Sequence, residues 1–227
     1  KVLTVDLHQK LLLYEIKASD KIPPPEVALK IDNAIIGTLG NILSIIGKAK
    51  SRKSFFIGMA VSASVAKNNV ISVLTNELPN TQRNVLYFDT EQGKYHVQKA
   101  LKRICTITGA SEPTNLNTYG LRSLNPIERA ELIEYAIYNT PNLGIVFIDG
   151  IKDLITSIND EEQATMIVSK LMKWSEEKNI LIVTVLHQNK GDNNARGHIG
   201  TELNNKAETV LSVSKSSDNE MVSIVQA

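Results

Sequence analysis

Ile45-Ile46-Gly47-Lys48-Ala49-Lys50-Ser51-Arg52-Lys53-Ser54 is the stretch from which the fold can be read. An apolar strand ends in glycine, a loop of small and basic residues follows, and the stretch 54–67 has the composition of a helix. Gly47, Lys53 and Ser54 keep the spacing Gly-x4-Gly-Lys-Ser/Thr. In that pattern backbone N–H groups and a helix N-terminus cradle phosphates, the lysine reaches the β- and γ-phosphates, and the hydroxyl meets Mg²⁺. Arg52 stands where the pattern has its second glycine. If that position needs a positive φ, a side chain there costs about 1–2 kcal/mol. The loop carries four cations in eight residues, Lys48, Lys50, Arg52 and Lys53, so Arg52 is expected to turn outward and leave its N–H to the phosphates. The plainer alternative is a basic turn that only caps a helix.

Working outward, short β-branched runs alternate with longer amphipathic ones. Strands are predicted at 41–46, 84–89, 116–119, 144–149 and 180–187, and helices at 54–67, 94–107, 126–139 and 161–178, with Pro126 in a first-turn position. Two last strands, 207–213 and 221–225, flank a turn of Ser, Asp and Asn. This order predicts an α/β fold, a mostly parallel central sheet with helices on both faces and a C-terminal hairpin. Residues 5–16 can form a short helix, and prolines 23 to 25 stop regular structure after it. Residues 1–36 therefore read as an N-terminal arm or linker and 37–227 as one domain.

Composition fits that picture. With 227 residues, 42% hydrophobic and 22% charged, the chain can bury one sizeable core, which excludes wholesale disorder and collagen-like repeats. A formal charge of +1 means that any nucleic-acid contact must come from a local patch. A single Cys excludes an internal disulfide and a multi-cysteine zinc site. No apolar run reaches about 18 residues and the start lacks signal-peptide order, so no membrane partner and a cytoplasmic location are expected. The first residue is Lys, which suggests a trimmed chain.

In such sheets ligands sit beyond the carboxyl ends of the strands. Those ends carry Gly47, Asp89 with Thr90-Glu91, Asp149-Gly150, and His187-Gln188. A carboxylate beyond a γ-phosphate can polarise an attacking water, and one at the end of a buried strand can hold Mg²⁺. Singly, each has a structural explanation: a helix cap for Asp89 and Glu91, a turn for Asp149-Gly150, a satisfied strand end for His187 and Gln188. His187 and His198 lack a third metal ligand at suitable spacing, and Cys105 reads as core.

Four such segments in this order resemble the RecA-like P-loop ATPase core over roughly residues 37 to 227. The loop is then its Walker A segment and 143–149 its Walker B segment. With Ala195-Arg196-Gly197-His198 added, the chain is similar to RepA-type hexameric helicase and mobilisation ATPases of bacterial mobile elements. The resemblance implies ATP and Mg²⁺ as cofactors. It assigns nucleotide binding to Gly47, Lys48, Ala49, Lys50, Ser51, Arg52, Lys53, Ser54 and Asp149, with Ser54 and Asp149 on the metal. It makes Glu91 the general base rather than Asp89, Lys53 a catalytic cation and Gln188 the γ-phosphate sensor. It further implies a hexameric ring on single-stranded DNA, contacted by a mobile loop at 189–200 through Lys190 and Arg196, with Arg196, Lys206 or Lys215 reaching a neighbour's nucleotide. Two alternatives remain. One is a nucleotide-gated assembly or regulatory module with weak or no hydrolysis, which accounts for Arg52. The other is a small-molecule kinase using Arg122 and Arg129, for which no acceptor lid is visible.

Overall fold

The computed structural model describes residues 6–189 and 195–216 and the backbone of 223–226. In chain order these form helix α1 (Leu7–Leu12), strands β1 (Val27–Ile31), β2 (Ala34–Thr38) and β3 (Ile42–Gly47), and helix α2 (Lys53–Val65). Next come β4 (Leu74–Asn76), β5 (Asn84–Asp89), α3 (Lys94–Thr108), β6 (Leu116–Gly120), α4 (Pro126–Asn139) and β7 (Leu143–Asp149). A 3-10 turn at Ile151–Leu154 leads to α5 (Glu161–Lys178), β8 (Leu181–His187), α6 (Gly197–Lys206), β9 (Thr209–Lys215) and β10 (Ser223–Gln226). The main sheet has the order β10-β9-β3-β8-β7-β5-β6, and every pairing in it is parallel except β10 with β9. This is the α/β class that the alternation predicts, terminal hairpin included.

Side-chain alternation divides the core into two layers. Ile42, Ile46, Leu86, Phe88, Val146, Ile148, Ile182 and Leu186 face one way and pack with α4, α5 and α6, around Ile133, Leu171, Trp174 and Leu203. Leu43, Ile45, Val85, Tyr87, Ile145, Phe147 and Val183 face the other way and meet α2 and α3. Helix α2 is buried over most of its length and rich in Ala, Ser and Gly, which lets it lie close to the sheet. Helix α4 begins as Pro126 suggests, with a reciprocal capping box between Asn125 and Glu128.

A second, three-stranded sheet, β2-β1-β4, covers α2 and was not foreseen. Its strands β1 and β2 lie where the sequence predicts an arm, and β2 runs across residue 36, where that arm was to end. Ala28, Leu29 and Ile36 are buried there. Glu208 joins this sheet to the large one: its carboxylate accepts from the Thr38 amide and hydroxyl, both at 2.9 Å.

The loop expected at 189–200 needs correction. From Gly197 the chain is helical, because Ile199 and Leu203, four residues apart, bury one face against the layer that holds α5. Residues 190–194, Lys190 among them, lie outside the described residues. Among the described residues no helix is long and apolar enough to cross a membrane.

Gly144 marks the tightest point on the strand that carries Asp149. A Cβ there would stand 2.1 Å from the Gln82 carbonyl oxygen and 3.1 Å from Leu78. Gly144→Ala is expected to destabilise the protein by about 1–3 kcal/mol, the usual cost of overpacking. Urea unfolding followed through the single tryptophan, Trp174, measures it.

Candidate active site

The loop between β3 and α2 holds two non-glycine residues in the left-handed region, Lys50 at φ 62° and Arg52 at φ 71°. The second-glycine position of the pattern therefore does require a positive φ, and the chain meets that requirement with an arginine. Gly47 answers a different need, since a Cβ on it would come within 2.4 Å of the Val213 carbonyl oxygen and 2.6 Å of Ser51 Oγ. Lys53 opens α2 and is almost wholly buried. Its ammonium donates to the carbonyls of Gly47 (2.7 Å) and Lys48 (2.9 Å) and stands 3.3 Å from His187 Nδ1. Burial lowers the pKa of Lys53, against the pull of Asp149 and Glu91. An ammonium only donates, so Nδ1 must accept and the ring proton of His187 sits on Nε2.

Opposite the loop, parallel register sets Asp89 beside Asp149, and Gly47 beside His187. Both aspartates are buried, but their surroundings differ. Asp89 is saturated: it accepts from the amides of Glu91 (3.1 Å) and Gln92 (2.7 Å) and from Gln92 Nε2 (2.9 Å). Those bonds make it the cap of the turn that carries Glu91. The neighbouring Ser54 hydroxyl favours the charged form of Asp149, while Asp149 Oδ2 has no hydrogen-bond partner. Burial first, and then the charge of Asp89, push Asp149 up to about 7.

Glu91 extends from the same turn and is only half-buried. Its Oε1 lies 3.1 Å from Lys152 Nζ and 3.6 Å from His187 Nε2. His187 and then Lys152 hold its carboxyl down at about 2, against the effect of burial. Thr90 locks this turn to the end of β7. Its amide donates to the Asp149 carbonyl (2.7 Å), and its hydroxyl accepts from Gly150 N (2.8 Å) and lies 2.9 Å from Asp153 Oδ2.

The structure thus brings Lys53, Ser54, Asp149 and Glu91 together and adds Lys152, which the sequence did not single out, and His187, which it read as a satisfied strand end. Gln188 faces elsewhere, because neighbouring residues of a strand point to opposite sides. Its Nε2 lies 3.3 Å from Ser212 Oγ, in a cleft of about 850 Å³ lined also by Lys48, Lys50, Ser51, Ser214 and Lys215. Arg196 and Lys206, at the two ends of α6, are exposed, as is Lys215 on β9. Arg129, considered above as a kinase cation, instead donates to the carbonyls of Leu121, Arg122 and Asp153 and ties the loops together.

The donor set suits phosphates accompanied by a small hard cation. Among the described residues no three His, Cys, Asp or Glu side chains form a metal cage. One orphan carboxylate oxygen and one serine hydroxyl fit Mg²⁺, which takes a few protein ligands and completes its shell with phosphate and water. The family model of the AAA domain matches residues 10–193. The chain belongs to the AAA domain family. No curated protein matches it closely enough to refine that assignment. An AAA domain is a P-loop ATPase domain, so nucleotide binding with a divalent metal is implied, and this cluster of side chains is where such a group fits.

Asp149 gives a pH signature. Its proton is held more tightly in the folded than in the unfolded chain, so stability falls as pH rises from about 4 to about 7. Asp149→Asn should therefore stabilise the protein without nucleotide more at about pH 8 than at about pH 5, by on the order of 2–3 kcal/mol. Urea unfolding at the two pH values checks this. An equal effect at both would mean that charge is not the cause.

Proposed function

We propose that the chain is the ATP-hydrolysing motor domain of a DNA-dependent machine, of the kind found in RepA-type replicative or mobilisation helicases of mobile elements. The observation that carries the ATPase part is the meeting of Lys53, Ser54, Asp149 and Glu91 at the carboxyl edge of one sheet. Loop amides from Lys48 to Ser54 cradle the triphosphate, and Lys53 gives up its contact with His187 to neutralise the β- and γ-phosphates. Ser54 and Asp149 would hold Mg²⁺, which would supply positive charge against that developing on the phosphates. Glu91 orients the attacking water and takes its proton. Gln188 lies in the cleft beside Lys48, Lys50 and Ser51, so the γ-phosphate-sensing role that the resemblance gives it would act through the loop and not from inside the Lys53–Glu91 cluster.

The DNA part rests on the resemblance and on exposed cations beyond the site. Arg196 begins α6, with its amide on the His187 carbonyl at 3.0 Å, so a strand held there acts on the residue beside Lys53. In a hexameric ring, repeated weak cationic contacts with single-stranded DNA add up to a salt-sensitive site, with Arg196, Lys206 or Lys215 available to a neighbour's nucleotide. The left-handed Arg52 favours one alternative, a nucleotide-gated assembly or regulatory module with weak turnover.

Mg²⁺-dependent ATP turnover with and without single-stranded DNA tests these assignments. Lys53→Ala should abolish ATP binding or turnover while the fold stays intact. Glu91→Gln should keep ATP binding and lower turnover by at least about 10²-fold, with Asp89→Asn less damaging. Lys190→Ala combined with Arg196→Ala should cut DNA stimulation more than basal turnover, each single variant being measured beside the double. Absence of DNA binding at low salt and of stimulation by DNA would sink the motor proposal. A large rise in affinity and turnover for Arg52→Gly would favour the regulatory module.

A further inference from the structure

Lys152 has no part in the pattern that defines the loop, yet it reaches the middle of the site. It sits on the 3-10 turn Ile151–Leu154 that directly follows β7. That turn is a firm base: Ile151 and Leu154 are buried, Arg129 Nη1 holds the Asp153 carbonyl at 2.8 Å, and Thr90 meets the Asp153 carboxylate. From there Lys152 Nζ lies 3.1 Å from Glu91 Oε1. His187 Nε2 approaches the same oxygen, and the other ring nitrogen of His187 faces Lys53. Lys53, His187, Glu91 and Lys152 therefore form one continuous chain of polar contacts.

We propose that Lys152 is a positioning residue that restrains Glu91 as its counter-ion, and that phosphates binding at Lys53 release the His187 contact but leave the Lys152 pair in place as a brake on Glu91. This rests on Glu91 being the base. An ammonium has three protons, and those of Lys53 face Gly47 O, Lys48 O and His187 Nδ1. A phosphate oxygen can engage Lys53 only by displacing one of these, and the contact with His187 is the longest of the three. Its loss frees the imidazole that shares Glu91 Oε1 with Lys152. The remaining pair is about one-third exposed on both sides, at 34% and 35%. Ion pairs this exposed hold their partners weakly, so the brake that Lys152 places on Glu91 is partial. A base kept in an ion pair is a poor proton acceptor, so the Lys152 pair slows hydrolysis of bound ATP without contributing to its binding.

The test uses the full chain as wild type, Lys152→Met, Lys152→Arg, Glu91→Gln and the Lys152→Met/Glu91→Gln double. Readouts are kcat and KM for Mg²⁺-ATP and the Kd of β,γ-imido-ATP. Lys152→Met should raise kcat by about three- to fivefold, the scale on which an exposed ion pair holds its partners, with the analogue Kd unchanged. Lys152→Arg, which restores the charge, should reverse the gain, and Glu91→Gln should erase it. A Lys152→Met protein with lower kcat, or with analogue binding weakened severalfold, overturns the inference and makes Lys152 a phosphate-binding cation. A gain that survives in the double variant also overturns it. If Glu91→Gln leaves wild-type turnover intact, the assignment of the base itself fails, and the inference falls with it. Failure of the inference alone looks different: Glu91→Gln abolishes turnover while Lys152→Met raises nothing.

Discussion

Parallel pairing along β3, β8, β7 and β5 is the constraint on which the site depends. It sets Gly47 against His187, Asp149 against Val185, and Asp89 against Asp149. Side chains alternate between the faces of a strand, so a one-residue slip in any of these pairings would turn its polar end away from the others. The register is held by what lies deeper in the sheet. Val146, Ile148, Ile182 and Leu186 fill one layer, and Ile145, Phe147 and Val183 the other.

Two carboxyls on neighbouring strand ends are driven in opposite directions. Asp149 is deep, crowded by Asp89 and short of donors, so its charged form is disfavoured. Glu91 stands at the rim among cations, so its charged form is favoured. A divalent cation beside Asp149 reverses the local balance, because it supplies the charge that burial withholds. Environment alone thereby separates a carboxyl suited to a cation from one open to water, although both are simple carboxylates.

Much of this was legible in the sequence. The main-sheet strands and the helices between them follow from hydrophobic periodicity, and the positions of Lys53, Ser54, Asp149 and Glu91 follow from where those strands end. The small sheet was missed although its signal is present. Val27 to Ile31 and Ala34 to Thr38 flank Asp32-Asn33, a two-residue turn in which Asp32 takes a φ of 51°, as tight hairpins demand. Three prolines just upstream drew that stretch into the arm instead. Lys152 was not legible, and His187 was placed at its strand end without a role, for another reason. Which of two adjacent strand-end side chains points into a site depends on the pleat, and whether a lysine three residues past a strand turns back depends on the 3-10 turn. Helix α6 was hidden by its glycines, Gly197 and Gly200. Gly197 adopts a φ of 74° with Ile158 packed against it, and Gly200 makes room for Ala195.

The Thr38–Glu208 contact links parts of the chain 170 residues apart. On one side of it lies the hairpin into which the N-terminal arm leads, and on the other β9, which lines the cleft beside the phosphate loop. Thr38 also accepts from Asn41 at the start of β3, and Glu208 donates its own amide to Ile42, so both ends of the link are tied to the strand that carries the loop. A tension applied along the arm therefore has a short, stiff load path to the floor of the cleft. Whatever is tethered to the arm and whatever lies in the cleft are mechanically in series.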